Sequence, residues 1–298
     1  MKSKTVYILL IVFLVLSLAS SYSIWEKYIP FISGNTSKDT DFPNISVKSD
    51  DVSKITITKT DTQINIQKKE NSWTIENFKA DPDKINTLLT NLSNIKISKT
   101  ASTNKDNFKD MGIGETGYKL KIFYTDKEKT YNIGNSGYTP NSFFINLDGV
   151  DTVYLAEGNL NSSISSDISF WRNKTVVDIP EDSIDKITVS GTTSMVLTKD
   201  SKNVWRINEK EVPDDKNILN ILSSLKATTF LNEEEIKNFV NNKILYTINL
   251  ENTKQSLATN LEVAEVDTLY YIKNLNTEEY FKVSKNLLDN LVNIKSSN

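Results

Sequence analysis

The chain has 298 residues, of which 38% are hydrophobic and 24% charged, and its formal net charge is −3. It contains no cysteine and no histidine, so disulfides, thiolate nucleophiles, Ser-His-Asp catalysis and ordinary zinc sites are excluded. The slightly acidic balance does not favour a nucleic-acid partner, and no motif predicts a cofactor or a metal site.

The amino terminus predicts a membrane anchor over residues 1–28. Lys2 and Lys4 precede an apolar run that begins at Val6 and continues past Leu16 to Ile24, about long enough for a helix to cross the hydrocarbon core. Basic residues ahead of such a run stay cytoplasmic, so we expect a single-pass protein of the cell membrane whose bulk is extracytoplasmic. The predicted anchor residues are Val6, Leu10, Phe13, Leu16, Ile24 and Trp25.

A cleaved signal peptide is the alternative interpretation of this segment. Ala19 and Ser21 in "SLASS" are small enough for a cleavage site. The anchor is favoured because apolar character continues past that point to Ile24 and Trp25. A buried core helix is disfavoured because the run is apolar on every face.

An internal repeat follows the predicted anchor. Trp73 and Trp205 lie 132 positions apart, and the same offset places "KITI" at Lys54 on "KITV" at Lys186. A register kept over such a span indicates duplication of a structural unit. We therefore predict a Pro-, Gly-, Ser- and Thr-containing stalk and two tandem repeat domains. Their residues are 29–44 for the stalk, 45–170 for the first repeat and 171–298 for the second.

The first half of each repeat predicts a hairpin, a third strand and a helix. "KITITKT" and "INIQKK" alternate apolar and polar residues with period two around "TDT", and "SWTIEN" follows as a strand. "DPDKINTLLTNLSNI" predicts a helix with Asp81 as N-cap and Pro82 at its first position. The second copy repeats this order in "KITVSG", "MVLTKD", "VWRINE" and "PDDKNILNILSSL".

The second half of each repeat predicts a short helical turn followed by more strands. The turns are "NFKDMGI" and "EEEIKNFV", and the strand segments "SFFINL" and "LYYIKNL" match at an offset of 127. Strands around one main helix predict an α+β fold with a mostly antiparallel sheet in each repeat. The matched Ile, Leu and Trp positions, including Trp73 and Trp205, are expected to be core residues.

The junction between the repeats carries Phe170, Trp171 and Arg172. An aromatic pair beside an arginine is typical of an interface anchor, so these residues are candidates for contact with a partner. The alternative, which we favour, is that they pack the two repeats together, because a free linker rarely holds two bulky aromatic residues.

Catalytic motifs that need no histidine are present only as weak matches. "SIDK" (Ser183 to Lys186), "SNIK" and "STNK" fit S-x-x-K, but no S-D-N or K-T-G partner accompanies them. Acidic clusters at Asp50-Asp51, Asp214-Asp215 and Glu233-Glu235 suit helix starts or turns, where capping explains them. "DGVD" is interpreted as a hairpin turn, and "GNSG" lacks the lysine that a phosphate loop requires. We predict no catalytic residue.

The order of these segments resembles the domain of unknown function 4340 family. The resemblance rests on the amino-terminal apolar segment and on "NSWTI", "DPDKINTLLTNLSNIK", "FKDMGI", "YNIGNSGYTPNSFFINLDGVDTVYLAEGNL" and "FWRNKTVVDIPEDSIDKITV". It implies a bacterial envelope protein, often encoded near ABC-type transporter components of the gliding-motility kind. It implies no catalytic residues.

Three functions are therefore expected, in decreasing order of support. The first is a non-catalytic accessory protein that contacts ABC-type transporter subunits or other envelope proteins. The second is a module that binds wall polymer or a small ligand. The third is a carboxylate-based envelope hydrolase.

Overall fold

The computed structural model describes residues 42–292 except 71, 178, 208 and 213–224. The predicted anchor, with Val6, Leu10, Phe13, Leu16, Ile24 and Trp25, lies outside the described residues, as does most of the stalk. Among the residues that are described, no helix is both long and apolar enough to span a membrane. The predicted domain boundaries remain predictions; the one at 170/171 falls within a four-residue helix.

The strands of the first repeat are β1 (Lys54–Lys59), β2 (Thr62–Lys69), β3 (Ser72–Ile75), β4 (Phe78–Lys79), β5 (Lys96–Ser102), β6 (Tyr118–Phe123), β7 (Glu128–Ser136), β8 (Ser142–Leu147) and β9 (Val153–Glu157). Those of the second repeat are β10 (Lys186–Gly191), β11 (Met195–Lys199), β12 (Trp205–Ile207), β13 (Lys210–Glu211), β14 (Thr229–Phe230), β15 (Ile244–Asn252), β16 (Leu257–Val266), β17 (Leu269–Asn274) and β18 (Tyr280–Ser284). The described α-helices are α1 (Pro82–Ser93), α2 (Ile168–Trp171), α3 (Glu233–Asn241) and α4 (Lys285–Val292).

The two sheets have the same topology. The strand order is β4-β3-β2-β1-β6-β7-β8-β9-β5 in the first and β13-β12-β11-β10-β15-β16-β17-β18-β14 in the second. Each strand of the second sheet therefore occupies the place of its counterpart nine strands earlier, and all neighbours are antiparallel. The predicted repeat and the mostly antiparallel α+β class are confirmed.

Period-two burial sets the register of the central strands. Ile55 of β1 lies opposite Ile66 on one side and Ile122 on the other. In the second sheet Ile187 lies between Leu197 and Leu250. All six side chains are buried, and a one-residue slip would turn each of them towards solvent.

Helix α1 covers the core of the first sheet as the sequence predicts. The Asp81 carboxylate accepts hydrogen bonds from the N–H groups of Asp83 and Lys84, and Pro82 is the first helical residue. Such a cap satisfies N–H groups that have no partner inside the helix. The buried face of the helix consists of Ile85, Leu88, Leu89 and Leu92. The matching helix predicted at 213–225 lies, apart from buried Leu225, outside the described residues.

A small second core covers part of the opposite face of each sheet. In the first repeat, Phe108 and Met111 from the predicted turn pack against Phe144. In the second repeat, Phe239 of α3 packs against Tyr271, which occupies the place of Phe144. Helix α3 begins with a reciprocal capping box between Asn232 and Glu235, so the predicted turn is a full helix here.

The two tryptophans are not buried equally. Trp205 is 1% exposed, whereas Trp73 at the same place in β3 is only half-buried. The expectation of a buried Trp73 is therefore wrong in degree, although Trp73 shares the inward face of Ile75. A strand pattern predicts the face of a residue, whereas distant segments decide how completely it is covered.

Two long strands, β7 and β16, were not predicted. The "GNSG" segment lies at the end of β7, where a Cβ on Gly134 would meet the carbonyl oxygen of Met111 at 2.2 Å. Glycine is needed because the loop that carries Met111 crosses close to the strand. The predicted turn "DGVD" does join β8 to β9, with Gly149 at a φ of +76°.

The energetics of this packing can be tested on α1. Leu89→Ala should lower the free energy of unfolding by about 2–5 kcal/mol, because it leaves a cavity beneath the helix. Asn86→Ala, on the exposed side of the same helix, should change it by no more than about 0.5 kcal/mol. Urea unfolding of both variants provides the measurement, and equal effects would contradict the assigned buried face.

Candidate functional site

The junction residues lie in and just after α2. Trp171 is fully buried, and its indole N–H donates to the carbonyl oxygen of Ser165 at 2.9 Å. The ring of Phe170 meets Trp171 edge to face with centroids 4.9 Å apart, and the Lys84 ammonium lies 4.3 Å from the Phe170 ring. Both aromatic residues thus pack next to the start of α1.

Arg172 joins the two repeats directly. Its guanidinium carbon lies 3.7 Å from the ring centroid of Phe78 in β4 and 3.6 Å from that of Phe230 in β14. A guanidinium nitrogen of Arg172 also donates to Glu279 at 2.8 Å, and both side chains are 11% exposed. One cation therefore stacks on an aromatic ring from each repeat and is neutralised by a carboxylate of the second.

The backbone of the junction also pairs with both repeats. The N–H of Asn173 donates to Lys79 O at 2.9 Å, and the N–H of Ala227 donates to Lys174 O at 2.8 Å. The segment thus runs from the edge of the first sheet towards the edge of the second. These contacts are those expected of residues that pack the two repeats together. Contact of Phe170, Trp171 and Arg172 with an outside partner stays a prediction.

The outer sheet edges carry different residues at the equivalent positions. Strand pairing places Lys210 of β13 where β4 has Phe78. In the same way, Thr100 of β5 occupies the position that Phe230 has in β14. Thr152, the residue directly before β9, corresponds to Glu279, the residue directly before β18. The aromatic and acidic groups that hold the internal junction are thus replaced by polar residues at the outer edges.

A polar cleft of about 630 Å³ lies at one end of the second sheet. Its walls are the segment before β10, the β11–β12 turn and the β15–β16 hairpin. The side chains are carboxylates, ammonium groups, amides and hydroxyls. They include Asp182, Asp185, Asp200, Lys186, Lys199, Lys254, Asn252, Gln255, Ser201 and Thr253.

A smaller recess of about 220 Å³ lies at the same end of the first sheet and shares part of the equivalent lining. The loops at this end are longer in the second repeat. The turn between Lys199 and Trp205 is one residue longer than the turn between Lys68 and Trp73. The β15–β16 ladder also extends to the pair Asn252–Leu257, one pair beyond the end of the β6–β7 ladder. Both extensions raise walls around the cleft.

The cleft carboxylates are bound by the protein itself. Partial burial acts to raise the pKa of Asp185, but hydrogen bonds from the N–H and hydroxyl of Thr253 outweigh it and hold the pKa below its usual value. The Val204 N–H, together with the Arg206 guanidinium, lowers the pKa of Asp200. Both groups are therefore ionised hydrogen-bond acceptors at neutral pH, which suits binding of a polar ligand better than proton donation.

The Ser-Lys matches are separated by other contacts. The Ser183 hydroxyl donates to Pro180 O at 2.7 Å, and Lys186 pairs with Glu251 at 2.6 Å. The Ser93 hydroxyl bonds both backbone groups of Val47. Within residues 42–292, outside the gaps, no cluster of three or more Asp or Glu residues suits a metal ion. Asp214 and Asp215 lie in one of those gaps.

Sequence reasoning did not identify the cleft. Its residues are common polar types in turns, so their identity carries no specific signal. The available signal was the difference in loop length between the aligned repeats. Longer loops in one copy change the shape of the surface at the end of its sheet where they lie.

Comparison with known proteins gives one match. A family model described as "Domain of unknown function (DUF4340)" matches residues 75–243, more than half of the chain. Neither the curated proteins nor the solved structures contain a match.

The Arg172 junction makes a stability prediction. Arg172→Ala should lower the free energy of unfolding by about 3–5 kcal/mol, because it leaves Glu279 buried without its partner. Arg172→Lys should also destabilise the protein, since an ammonium cannot stack as a plane between two rings.

The control is the exposed ion pair between Lys105 and Asp151, whose side chains are 67% and 74% exposed. Lys105→Ala should cost no more than about 1 kcal/mol. Urea unfolding measures all three variants, and a cost for Arg172→Ala as small as that for Lys105→Ala would refute the assigned role of the junction.

Proposed function

The chain belongs to the domain of unknown function 4340 family, and on that premise we propose that it is a non-catalytic, membrane-anchored, extracytoplasmic interaction protein. In this proposal it is an accessory subunit of an ABC-type export or envelope complex. The apolar segment at residues 6–24 supplies the anchor, and the two repeats supply the contact surfaces outside the membrane.

The observation that carries the proposal is the duplicated sheet with conserved core positions and divergent rims. Ile55 and Ile187 share one environment, as do Ile66 and Leu197. At the rims, by contrast, the loops differ in length and charge. A preserved core under two different surfaces suits a scaffold that contacts two partners, or two parts of one partner.

A catalytic role receives less support from the same residues. Without histidine or cysteine, catalysis would depend on carboxylate, lysine or hydroxyl groups. Two of the described candidates make structural contacts: Ser183 with Pro180, and Glu235 with Asn232 and Lys282.

Affinity purification of the full-length protein from membranes in mild detergent tests the proposal. We expect an ATPase and a permease subunit of an ABC-type transporter to be recovered in constant proportion. A control in which an unrelated anchor replaces residues 1–28 should recover the same subunits, because the repeats make the contact. Recovery of the full-length protein alone would overturn the proposal.

A binding module for wall polymer or a small polar ligand is the second candidate function. The supporting observation is the 630 Å³ cleft of the second repeat, which has charged and amide groups on three walls. Its volume lies within the range of small-molecule sites, about 300–1,000 Å³. The ionised carboxylates of Asp185 and Asp200 would accept hydrogen bonds from ligand hydroxyl or amino groups.

Obstruction of the cleft tests this second function. Ser201→Trp places a bulky side chain in the cleft wall, and Ser194→Trp makes the same change in the β10–β11 turn, outside the cleft. We expect purified cell wall to retain the native chain and Ser194→Trp, but not Ser201→Trp. Equal retention of the two variants would exclude the cleft as the site.

A further inference from the structure

The smaller recess of the first repeat has a distinct chemistry. It has a volume of about 220 Å³, and Lys129 at its wall donates to the carbonyl oxygen of Ser46 at 3.4 Å. The residues that line it are Ser46, Lys48, Asp51, Tyr124, Lys127 and Lys129. Three ammonium groups face a single carboxylate, so the recess carries a net positive charge.

Tyr124 lines this recess, and the buried Tyr131 is a neighbour of two of its lining residues, Tyr124 and Lys129. The hydroxyls of Tyr124 and Tyr131 have no hydrogen-bond partner among the described residues, and Tyr131 is only 3% exposed. Tyr131 lies two residues from Lys129 on the same side of β7, so the two side chains are neighbours. Burial and the nearby Tyr124 both raise the pKa of Tyr131, so its hydroxyl is a neutral hydrogen-bond donor at neutral pH.

The second repeat shows that packing does not require these groups. Tyr131 pairs with Leu120, and Leu261 takes the same place opposite Ile248 in the second sheet. Leucine thus fills the position where the first repeat has Tyr131. At the positions equivalent to Tyr124 and Lys129, the second repeat has Asn252 and Thr259. A buried hydroxyl without a partner is unfavourable. Because leucine fills the same place in the second repeat, the Tyr131 hydroxyl is a candidate for contact with a ligand.

We propose that this recess binds a phosphoryl group of an anionic ligand. A phosphoryl group offers several strong acceptor oxygens, which match two hydroxyl donors and three ammonium groups better than the two oxygens of a carboxylate do. Lysine is a common ligand of phosphate. The volume admits a phosphate or a small head group but not a long polymer segment.

Two sources present this chemistry outside a bacterial membrane. One is the head group of an anionic phospholipid, since Ser46 and Lys48 directly follow the predicted stalk. The other is a soluble phosphate ester, such as glycerol phosphate released from an envelope polymer. Both place the same phosphoryl group in the recess.

The test uses the full-length chain in maltoside micelles, which contain no phosphate. Inorganic phosphate and glycerol 3-phosphate are titrated calorimetrically against the native chain, Tyr131→Phe and Lys129→Ala. Each substitution should weaken binding about tenfold, because each removes one hydrogen bond to a charged group. Tyr131→Phe should not lower the unfolding temperature, since it deletes an unpaired hydroxyl.

Tyr270→Phe in the second repeat is the matched control. The Tyr270 hydroxyl donates to Asp289 at 2.7 Å, so this variant should lose stability while its affinity for phosphate stays unchanged. No binding of either probe by the native chain, or equal binding by the native chain and Tyr131→Phe, would overturn the proposal.

Reconstitution into nanodiscs distinguishes the two sources. If the ligand is a lipid, the head group of phosphatidylglycerol should compete for the recess. The affinity of the protein for glycerol 3-phosphate should then be at least several-fold lower in phosphatidylglycerol discs than in discs of equal charge that contain oleate. If the ligand is soluble, the two discs should give equal affinities. Either result supports the phosphoryl site, provided that Tyr131→Phe weakens binding in the oleate discs. If the native chain and Tyr131→Phe bind glycerol 3-phosphate with equal affinity in oleate discs, the phosphoryl site is refuted.

Discussion

Arg172 lies between a phenylalanine ring from each repeat and forms a buried ion pair with Glu279. Desolvation of a guanidinium is costly, and the cost is offset here by two stacked rings and a carboxylate at 2.8 Å. The flanking backbone hydrogen-bonds to both sheets. This junction therefore connects two sheets, each with its own core, through a few strongly interacting groups.

The outer sheet edges lack the groups that form this junction. The outer edges present Lys210 and Thr100 where the internal junction has Phe78 and Phe230. A lysine on a two-residue edge strand and a bulged β5 ladder also disfavour pairing with a further strand. Terminal units of repeat proteins commonly replace apolar contacts with polar ones in this way.

The two repeats differ where the core does not constrain them. At the same end of each sheet, loops of different length create a 630 Å³ cleft in one repeat and a 220 Å³ recess in the other. The cleft carries carboxylates that its own loops already bind, whereas the recess carries three lysines, one carboxylate and the side chain of Tyr124. Duplication of the core thus left each rim free to acquire its own chemistry, and the proposals of a scaffold and of a phosphoryl site both follow from that difference.

The amino-acid sequence alone determined the repeat, the inward face of the strands and the cap of α1, because these depend on local periodicity and on neighbouring residues such as Asp81 and Pro82. It also identified Phe170, Trp171 and Arg172 as unusual linker residues. Only the tertiary structure decided that Arg172 meets Phe78 and Phe230, that Trp73 is less covered than Trp205, and that the Tyr131 hydroxyl is buried without a partner among the described residues. Those facts depend on contacts between residues far apart in the chain. No local pattern encodes them, since the strand order and the loop lengths decide which side chains meet.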